Sequence, residues 1–269
     1  MIRRFANASD LRASRDDNPN FAGTLAKGLM ILQAFVENPR PQANSELAAA
    51  LQLPRPTVSR LCRTLLEMGY LDHDTRIDRY FIGPAAVALG YPYVVNTPLL
   101  AQARGAMQSL ADQVRGAVSI GVAMDLDVVY IDTCAHERGT LARPAVGAIR
   151  GVAETAMGRA WLATLDTPQR AIALRRLRKE RPEEMQRCAA GLEESLAQHA
   201  QRGFAVNLGD AGLGVHGVGV PSRMRYGART LLFNCALPGS QLRPGELVGQ
   251  IGPRLLEIVR LVERNVGVR

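Results

Sequence analysis

The chain has 269 residues, 47% of them apolar, with a formal net charge of +8. That length suits two domains rather than one. No run of about 18 uncharged apolar residues occurs, and the basic start Met1-Ile2-Arg3-Arg4-Phe5 lacks a signal-peptide core, so a membrane span or export is not expected. Cys62, Cys134, Cys188 and Cys235 are scattered with no CxxC pair, which fits a reducing cytoplasm and argues against a disulfide framework or a zinc knuckle.

Residues 1–20 are polar and mixed in charge, and are expected to form a disordered arm. A first helix is expected after Thr24 as N-cap, with Leu25, Leu29, Leu32 and Val36 as its apolar stripe; Asn38-Pro39-Arg40-Pro41 stops it. Asn44 or Ser45 caps a second helix, with Glu46 in its first turn and Leu47, Ala50 and Leu51 facing inward. Gln52-Leu53 breaks the chain before a third helix, whose start is flanked by Pro54 and Pro56. Val58, Leu61, Leu65 and Met68 form its buried stripe. Arg55, Pro56, Thr57, Ser59, Arg60 and Arg63 are left for the major groove of double-stranded DNA, where arginine reads guanine edges or holds phosphates. Tyr70–His73 and Arg79–Ile82 read as a hairpin around Asp74-Thr75-Arg76-Ile77-Asp78. On this wing Arg76 and Arg79 either touch phosphates or pair with Asp72, Asp74 and Asp78. The order predicts a winged helix-turn-helix over residues 21–83. Residues 1–96 hold 11 Lys plus Arg against 9 Asp plus Glu, so a DNA-binding reading rests on this motif and not on bulk charge.

Residues 84–98 are expected to be a linker, with one short helix over 84–91 and a joint between Pro92 and Pro98. The rest, 99–269, reads as a second domain. Leu99 to Val114 is amphipathic through Leu99, Ala103, Ala106, Met107, Leu110 and Val114. Ala117–Met124 and Val128–Thr133 form a hairpin around Asp125-Leu126-Asp127. Helices are expected at Thr155–Leu165, Pro168–Lys179 and Leu192–Arg202, strands at Phe204–Leu208, Val215–Val220 and Thr230–Leu237, and a closing helix at Arg254–Val266. The basic run Arg175-Arg176-Leu177-Arg178-Lys179-Glu180-Arg181 reads as a solvated helix face. Strands with helices around them make an α/β or α+β domain.

Thr24-Leu25-Ala26-Lys27-Gly28-Leu29, Ile31-Leu32, Phe35, Glu46-Leu47-Ala48, Leu53-Pro54-Arg55, Thr57-Val58, Arg60-Leu61, Leu65, Gly69-Tyr70, Tyr80 and Ile82-Gly83 occur in order. With them the chain resembles the IclR family of bacterial transcription regulators. Pro56 departs from the small polar residue usual in the family. Val129-Tyr130-Ile131-Asp132, Val146-Gly147, Thr155-Ala156, Gly158-Arg159-Ala160, Gly203-Phe204 and Gly212 through Pro221 extend the resemblance over about residues 24–266. It implies an α+β protein: an N-terminal winged helix-turn-helix plus a C-terminal GAF-like effector-binding domain. It also implies a homodimer or dimer of dimers, a palindromic operator and a small organic acid effector, aromatic acids included. Mapped by motif, the effector site comprises Val152, Thr155, Ala156, Met157, Asn207, Gly217, Asn234 and Ala236. Asn207 stands where some members carry an acid and Gly217 where some carry a cysteine.

Two other readings were weighed. One is a small-molecule enzyme with a vestigial winged helix. His73, His136, His199 and His216 are dispersed, and the near pair Cys134 and His136 has no further spaced ligand. Gly209-Asp210-Ala211-Gly212-Leu213-Gly214 lacks the spacing of a phosphate loop. No catalytic residue, metal or cofactor is therefore expected. The other reading is a protein-interaction module, against which the helix-three arginines argue.

Overall fold

The computed structural model describes Leu11 and residues 18–137, 145–210, 212 and 214–267. The chain divides into two compact units, Met1–Asn96 and Thr97–Arg269. Of the expected arm, residues 1–10 and 12–17 lie outside the described residues, while Leu11 is buried with the first unit's core. Among the described residues no helix is long and apolar enough to cross a membrane.

The first unit runs α1 (Gly23–Glu37), α2 (Asn44–Leu51), α3 (Arg55–Glu67), β1 (Leu71–Asp74), β2 (Arg79–Ile82), α4 (Pro84–Ala88) and α5 (Tyr91–Val95). The expected single helix after the wing is thus two short ones. Ala22, not Thr24, sits at the cap of α1. The buried face of α1 is Met30, Ile31, Ala34 and Phe35. Of the expected stripe only Leu32 packs against the core, partly buried; Leu25, Leu29 and Val36 are exposed, Leu25 by 65%. Nearly every second-half residue of α1 is apolar, so periodicity did not single out the packed face. Buried Gln42 fixes the choice from outside the helix. Its Nε2 donates to the Ala34 and Asn38 carbonyls at 3.2 and 2.9 Å, closing the C-terminal end of α1.

In α2 the cap is Ala43 rather than Asn44 or Ser45. It has no capping side chain, and the Glu46 carboxylate instead accepts the Ala43 N–H at 2.7 Å. Leu47, Ala48 and Leu51 are the buried residues and Ala50 is exposed, since two residues turn a helix by more than half a revolution. In α3 the buried stripe is Val58, Cys62 and Leu65, with Leu61 half-buried and Met68 exposed at the C-cap. Cys62 acts as a small apolar side chain, and burial pushes its thiol up to about 12. Gly69, at φ +73°, turns the chain into the wing.

The second unit runs α6 (Pro98–Val114), β3 (Ala117–Met124), β4 (Asp127–Ala135), β5 (Ile149–Gly151), α7 (Ala156–Thr164), α8 (Thr167–Glu180), α9 (Pro182–Arg202), β6 (Ala205–Leu208), β7 (Val215–Tyr226), β8 (Arg229–Pro238) and α10 (Gly252–Asn265), the last preceded by a π-helical turn, Leu247–Ile251. The strands make one antiparallel sheet in the order β5-β4-β3-β8-β7-β6. Three-residue β5 is too short for alternation to reveal. Helix α9 starts at Pro182, not Leu192, because the acidic first turn Glu183-Glu184 interrupts its apolar period.

Alternation along the strands assigns the two faces. Ala117, Ser119 and Gly121 of β3 face one way. Their cross-strand partners Ala236, Asn234 and Leu232 of β8 share that face, as do Gly217, Gly219 and Pro221 of β7. A Cβ on Gly219 would lie 2.2 Å from the Ala156 carbonyl oxygen, and one on Gly121 2.5 Å from Met157 Sδ. This is therefore the face that α7 covers, and α8 and α9 complete its apolar cluster with Leu162, Leu177, Met185, Cys188 and Leu192. Val118 and Cys134 face the other way, where the Cys134 thiol lies 3.7 Å from the Arg104 carbonyl of α6.

The basic run of α8 is not simply solvated. Arg176 pairs with Asp125 at 2.5 Å and with Glu180 at 2.8 Å. Arg181 holds buried Asp127 through two bonds of 2.7 and 2.8 Å. Both arginines clamp the β3–β4 turn, where Asp125 takes φ +59°. Arg175, Arg178 and Lys179 do remain exposed.

Candidate functional site

Two places in the molecule gather the candidate residues. The first is the outer surface of α3. Val58, Cys62 and Leu65 anchor one side of the helix in the core. Arg55, Pro56, Ser59, Arg60 and Arg63 are exposed on the other, and Thr57 is half-buried. Arg55 and Arg60 have no ion-pair partner among the described residues. Arg63 is held only by Glu67, one turn away at 3.3 Å, with both side chains mostly exposed; such a pair contributes about 0.3–0.5 kcal/mol and gives way easily. The α3 start lies at Pro54 and Arg55; Pro56 has no N–H, and the Thr57 and Val58 N–H groups already donate to the Pro54 carbonyl at 2.9 and 3.1 Å.

The wing residues are more committed. Arg76 pairs with Asp74 at 2.8 Å and stays highly exposed, so its alternative partner is the one realised here. Arg79 pairs with none of the aspartates expected. It reaches the Glu46 carboxylate and the Pro41 carbonyl, tying the wing to the front of α2. Gln42 and Tyr80 add two backbone bonds of 2.9 Å across the same junction.

Glu46 is the hub of that junction. The Ala43 N–H, with Arg40 and Arg79, holds its carboxyl below the ordinary value of 4.5. A depressed folded-state pKa adds stability above the ordinary value and loses it as pH falls through the lowered one. Glu46→Gln is therefore expected to unfold at lower temperature than the parent at neutral pH. The gap should close as pH falls through the lowered value, where the parent carboxylate is itself protonated. A gap unchanged over that range, read by thermal melts, would show that the charge plays no part.

The second place is the entry of α7 on the sheet face. Thr155 caps the helix: its Oγ1 accepts the Gly158 N–H at 2.9 Å and donates to the Gly151 carbonyl at 3.2 Å. A Cβ on Gly158 would stand 2.3 Å from the Val152 backbone, so only glycine lets the helix start this close to its own loop. The backbone N–H groups of Ala156 and Met157 have no protein acceptor among the described residues. Val152 and Met157 are wholly buried in the apolar cluster beneath. Asn207 is committed to framing the site. It donates to the Glu154 carbonyl at 2.7 Å and accepts from the Gly209 and Asp210 N–H groups at 2.8 and 3.1 Å.

On the sheet side, Gly217 and half-buried Ala236 are cross-strand neighbours. The nearest atoms to a Cβ on Gly217 are Cys235 O at 3.0 Å and Ala236 at 3.7 Å, all of the sheet itself. One register step on, Asn234 lies between Ser119 of β3 and Gly219 of β7. It is 6% exposed, and its Oδ1 has no hydrogen-bond partner among the described residues. Such an acceptor destabilises a fold by about 1–3 kcal/mol. Beside it Thr133 donates to Ser119 at 3.0 Å, both hydroxyls buried.

Several supporting residues were not among the expected site residues. Fully buried Arg159 donates to the Ala153 and Val206 carbonyls at 2.9 and 2.8 Å and pairs with Asp210. Buried Glu184 of α9 accepts the Ala153 N–H at 3.0 Å and faces Arg181 at 3.4 Å. Burial raises its carboxyl pKa against the pull of Arg181. Arg159 lies 47 and 51 residues from Val206 and Asp210, and Glu184 31 from Ala153, beyond the reach of any local pattern. Cys134 and His136 both turn to α6, the thiol to the Arg104 carbonyl at 3.7 Å and His136 to Asp112 at 3.0 Å. Among the described residues no three His, Cys, Asp or Glu side chains gather as metal ligands.

A winged helix with an arginine-bearing third helix, followed by an α+β unit with a helix-capped, partly unsatisfied site, defines a two-domain transcription regulator. The profile of the IclR helix-turn-helix domain matches residues 24–75, and that of the bacterial transcriptional regulator IclR C-terminal domain matches residues 91–260. The chain belongs to the IclR family of bacterial transcriptional regulators. It is 29% identical over 248 residues, 90% of its length and 88% of the other's, to the HTH-type transcriptional regulator TsaQ1/TsaQ2 of Comamonas testosteroni. An IclR family transcriptional regulator from Brucella abortus superimposes with TM-score 0.81 at 32% identity, over 94% of this chain and 95% of that one. An IclR homologue from Microbacterium hydrocarbonoxydans, solved as a complex with 4-hydroxybenzoate, shares the fold with TM-score 0.66 at 17% identity, over 88% and 99% of the two chains.

Proposed function

We propose that this regulator binds a palindromic operator as a homodimer or dimer of dimers, and that a small organic acid in the second domain changes its operator affinity. The observation that carries the ligand reading is the α7 entry: free N–H groups at a helix N-terminus, a natural seat for a carboxylate, facing a sheet with a glycine floor at Gly217 and an unsatisfied Asn234. The complex of the Microbacterium homologue with 4-hydroxybenzoate makes aromatic acids the first class to test. Arg55, Pro56, Thr57, Ser59, Arg60 and Arg63 form the DNA-facing surface in this reading, with Arg76 exchanging Asp74 for a phosphate and Arg79 bracing the wing. One recognition helix reads only a few base pairs, so a second copy is needed for useful specificity. The outward stripe of α1 (Leu25, Leu29 and Val36) is apolar surface that pairing would cover.

The test has two arms. Genomic fragments selected by the full chain are footprinted, and small carboxylic acids are screened by thermal shift. Hits are then titrated against the selected DNA. An inverted repeat whose affinity changes with a stabilising acid supports the reading. A chain that stays monomeric by light scattering with and without DNA, or DNA binding insensitive to every stabilising acid, overturns it.

A further inference from the structure

We propose that a separate cavity of the second unit, on the α9 side of Arg159, binds a small α-amino acid as its zwitterion: the carboxylate meets Arg202 and Arg159, and the ammonium meets Asp210 and Glu194. The cavity holds about 230 Å³ and shares no lining residue with the site proposed at the α7 entry. Gly191, Glu194, Gln198 and Arg202 make one wall, at spacings that put them on a single face of α9. Leu208 of β6 and Val248 of the π-helical turn supply an apolar side, and Arg159 and Asp210 complete the lining. Gly191 lets this ion pair lie against α9: a Cβ there would stand 2.4 Å from Asp210 Oδ2 and 3.2 Å from Arg159 Nη1.

Both signs of charge are left with bonding capacity here. Arg159 has five N–H groups, of which the Ala153 and Val206 carbonyls and one Asp210 oxygen use three. The guanidinium is only 1% exposed, so bulk water does not serve the other two, and the cavity is the space in which an acceptor reaches them. Half-buried Arg202 has no ion-pair or hydrogen-bond partner among the described residues. On the acidic side, Asp210 gives only Oδ2 to Arg159, and Glu194 receives one bond from Gln198 at 3.2 Å. Two arginines and two carboxylates make the lining neutral as a whole. A carboxylic acid alone would answer the arginines but face Asp210 and Glu194, and an amine alone would do the reverse. A zwitterion gives each sign its charge-assisted hydrogen bonds in one molecule. The volume lies below the roughly 300–1,000 Å³ of pockets for drug-sized ligands, and Leu208 and Val248 suit a short aliphatic side chain.

The experiment titrates the full chain by calorimetry with leucine and valine. Each is paired with the analogue lacking its amino group (4-methylpentanoate, 3-methylbutanoate) and the analogue lacking its carboxylate (3-methylbutylamine, 2-methylpropylamine). The parent, Arg202→Gln, Glu194→Gln and Ala236→Leu are compared, with thermal melts to check folding. In the parent at least one amino acid should bind about tenfold or more tighter than both of its analogues, as the loss of a charge-assisted hydrogen bond implies. Arg202→Gln and Glu194→Gln should each weaken that binding by about tenfold or more, and should one of them fold poorly the other still decides. Ala236→Leu, which crowds the α7 entry, should leave it unchanged. The proposal is overturned if neither amino acid binds, if an analogue binds as tightly, or if binding survives in the folded Arg202 and Glu194 variants. Binding lost in Ala236→Leu would place the amino acid at the α7 entry and overturn it as well.

Discussion

The double variant Arg60→Ala, Arg63→Ala is expected to lose operator binding while folding as the parent does. Both side chains lie on the exposed surface of α3, opposite Val58, Cys62 and Leu65, so truncation removes no core contact. Arg60 has no ion-pair partner among the described residues, and Arg63 gives up only an exposed bond to Glu67. A bidentate contact to a base is worth about 1–3 kcal/mol. Loss of both contacts is expected to cost roughly 30-fold or more in affinity. The salt dependence separates roles. A base-reading arginine relaxes specificity at one position, whereas a phosphate contact weakens all sequences alike and reduces the slope of log affinity on log salt by about 1. Parent-like affinity in the double variant, by fluorescence anisotropy on the selected operator, would remove α3 from the DNA interface.

What the sequence made legible follows the range of the interactions involved. Helix α3 and the wing were legible because their signals are local: prolines at a helix start, a glycine at its end, and an alternating hairpin. The start of α7 near Thr155 was legible as well, though its side-chain cap was not. The packed face of α1 was not, because Met30, Ile31, Ala34 and Phe35 compete with an equally apolar stripe through Leu25 and Leu29. Buried Gln42, which closes that helix, carries no pattern at all. In α3 the helical period also allowed Met68 where Cys62 is packed, since cysteine was read for redox chemistry and not as a small apolar residue. The proposed effector site shows the same division. Its helix entry and its glycines were visible, but the Arg159–Asp210 pair and the Glu184 bond to Ala153 join segments far apart in the chain. The basic run of α8 misled for that reason too: Arg176 and Arg181 look solvated until Asp125 and Asp127 arrive from the β3–β4 turn.

Ala236→Leu is expected to abolish the response to ligand while ligand-free operator binding stays at the parent level. Ala236 is half-buried beside Gly217 on the α7 face of the sheet, and a Cβ on Gly217 meets only sheet atoms at 3.0 and 3.7 Å. In the proposed reading the added carbons occupy space that the ligand takes. Excluding a ligand by that crowding costs it about 1–3 kcal/mol, or roughly 5- to 150-fold in affinity. Gly219, two residues along β7, makes the control. A Cβ there collides with the Ala156 carbonyl at 2.2 Å and the Met157 nitrogen at 2.7 Å, so Gly219→Ala pushes α7 off the sheet and lowers the stability of the second domain itself. A ligand must favour one state of the protein to switch it, because equal affinity for both shifts nothing. Ala236→Leu should therefore behave as a regulator fixed in its ligand-free state, with an ordinary melting temperature. If the variant folds normally and binds and responds to the acid as the parent does, the effector sits elsewhere, and the α7 entry loses its role as the seat of the carboxylate.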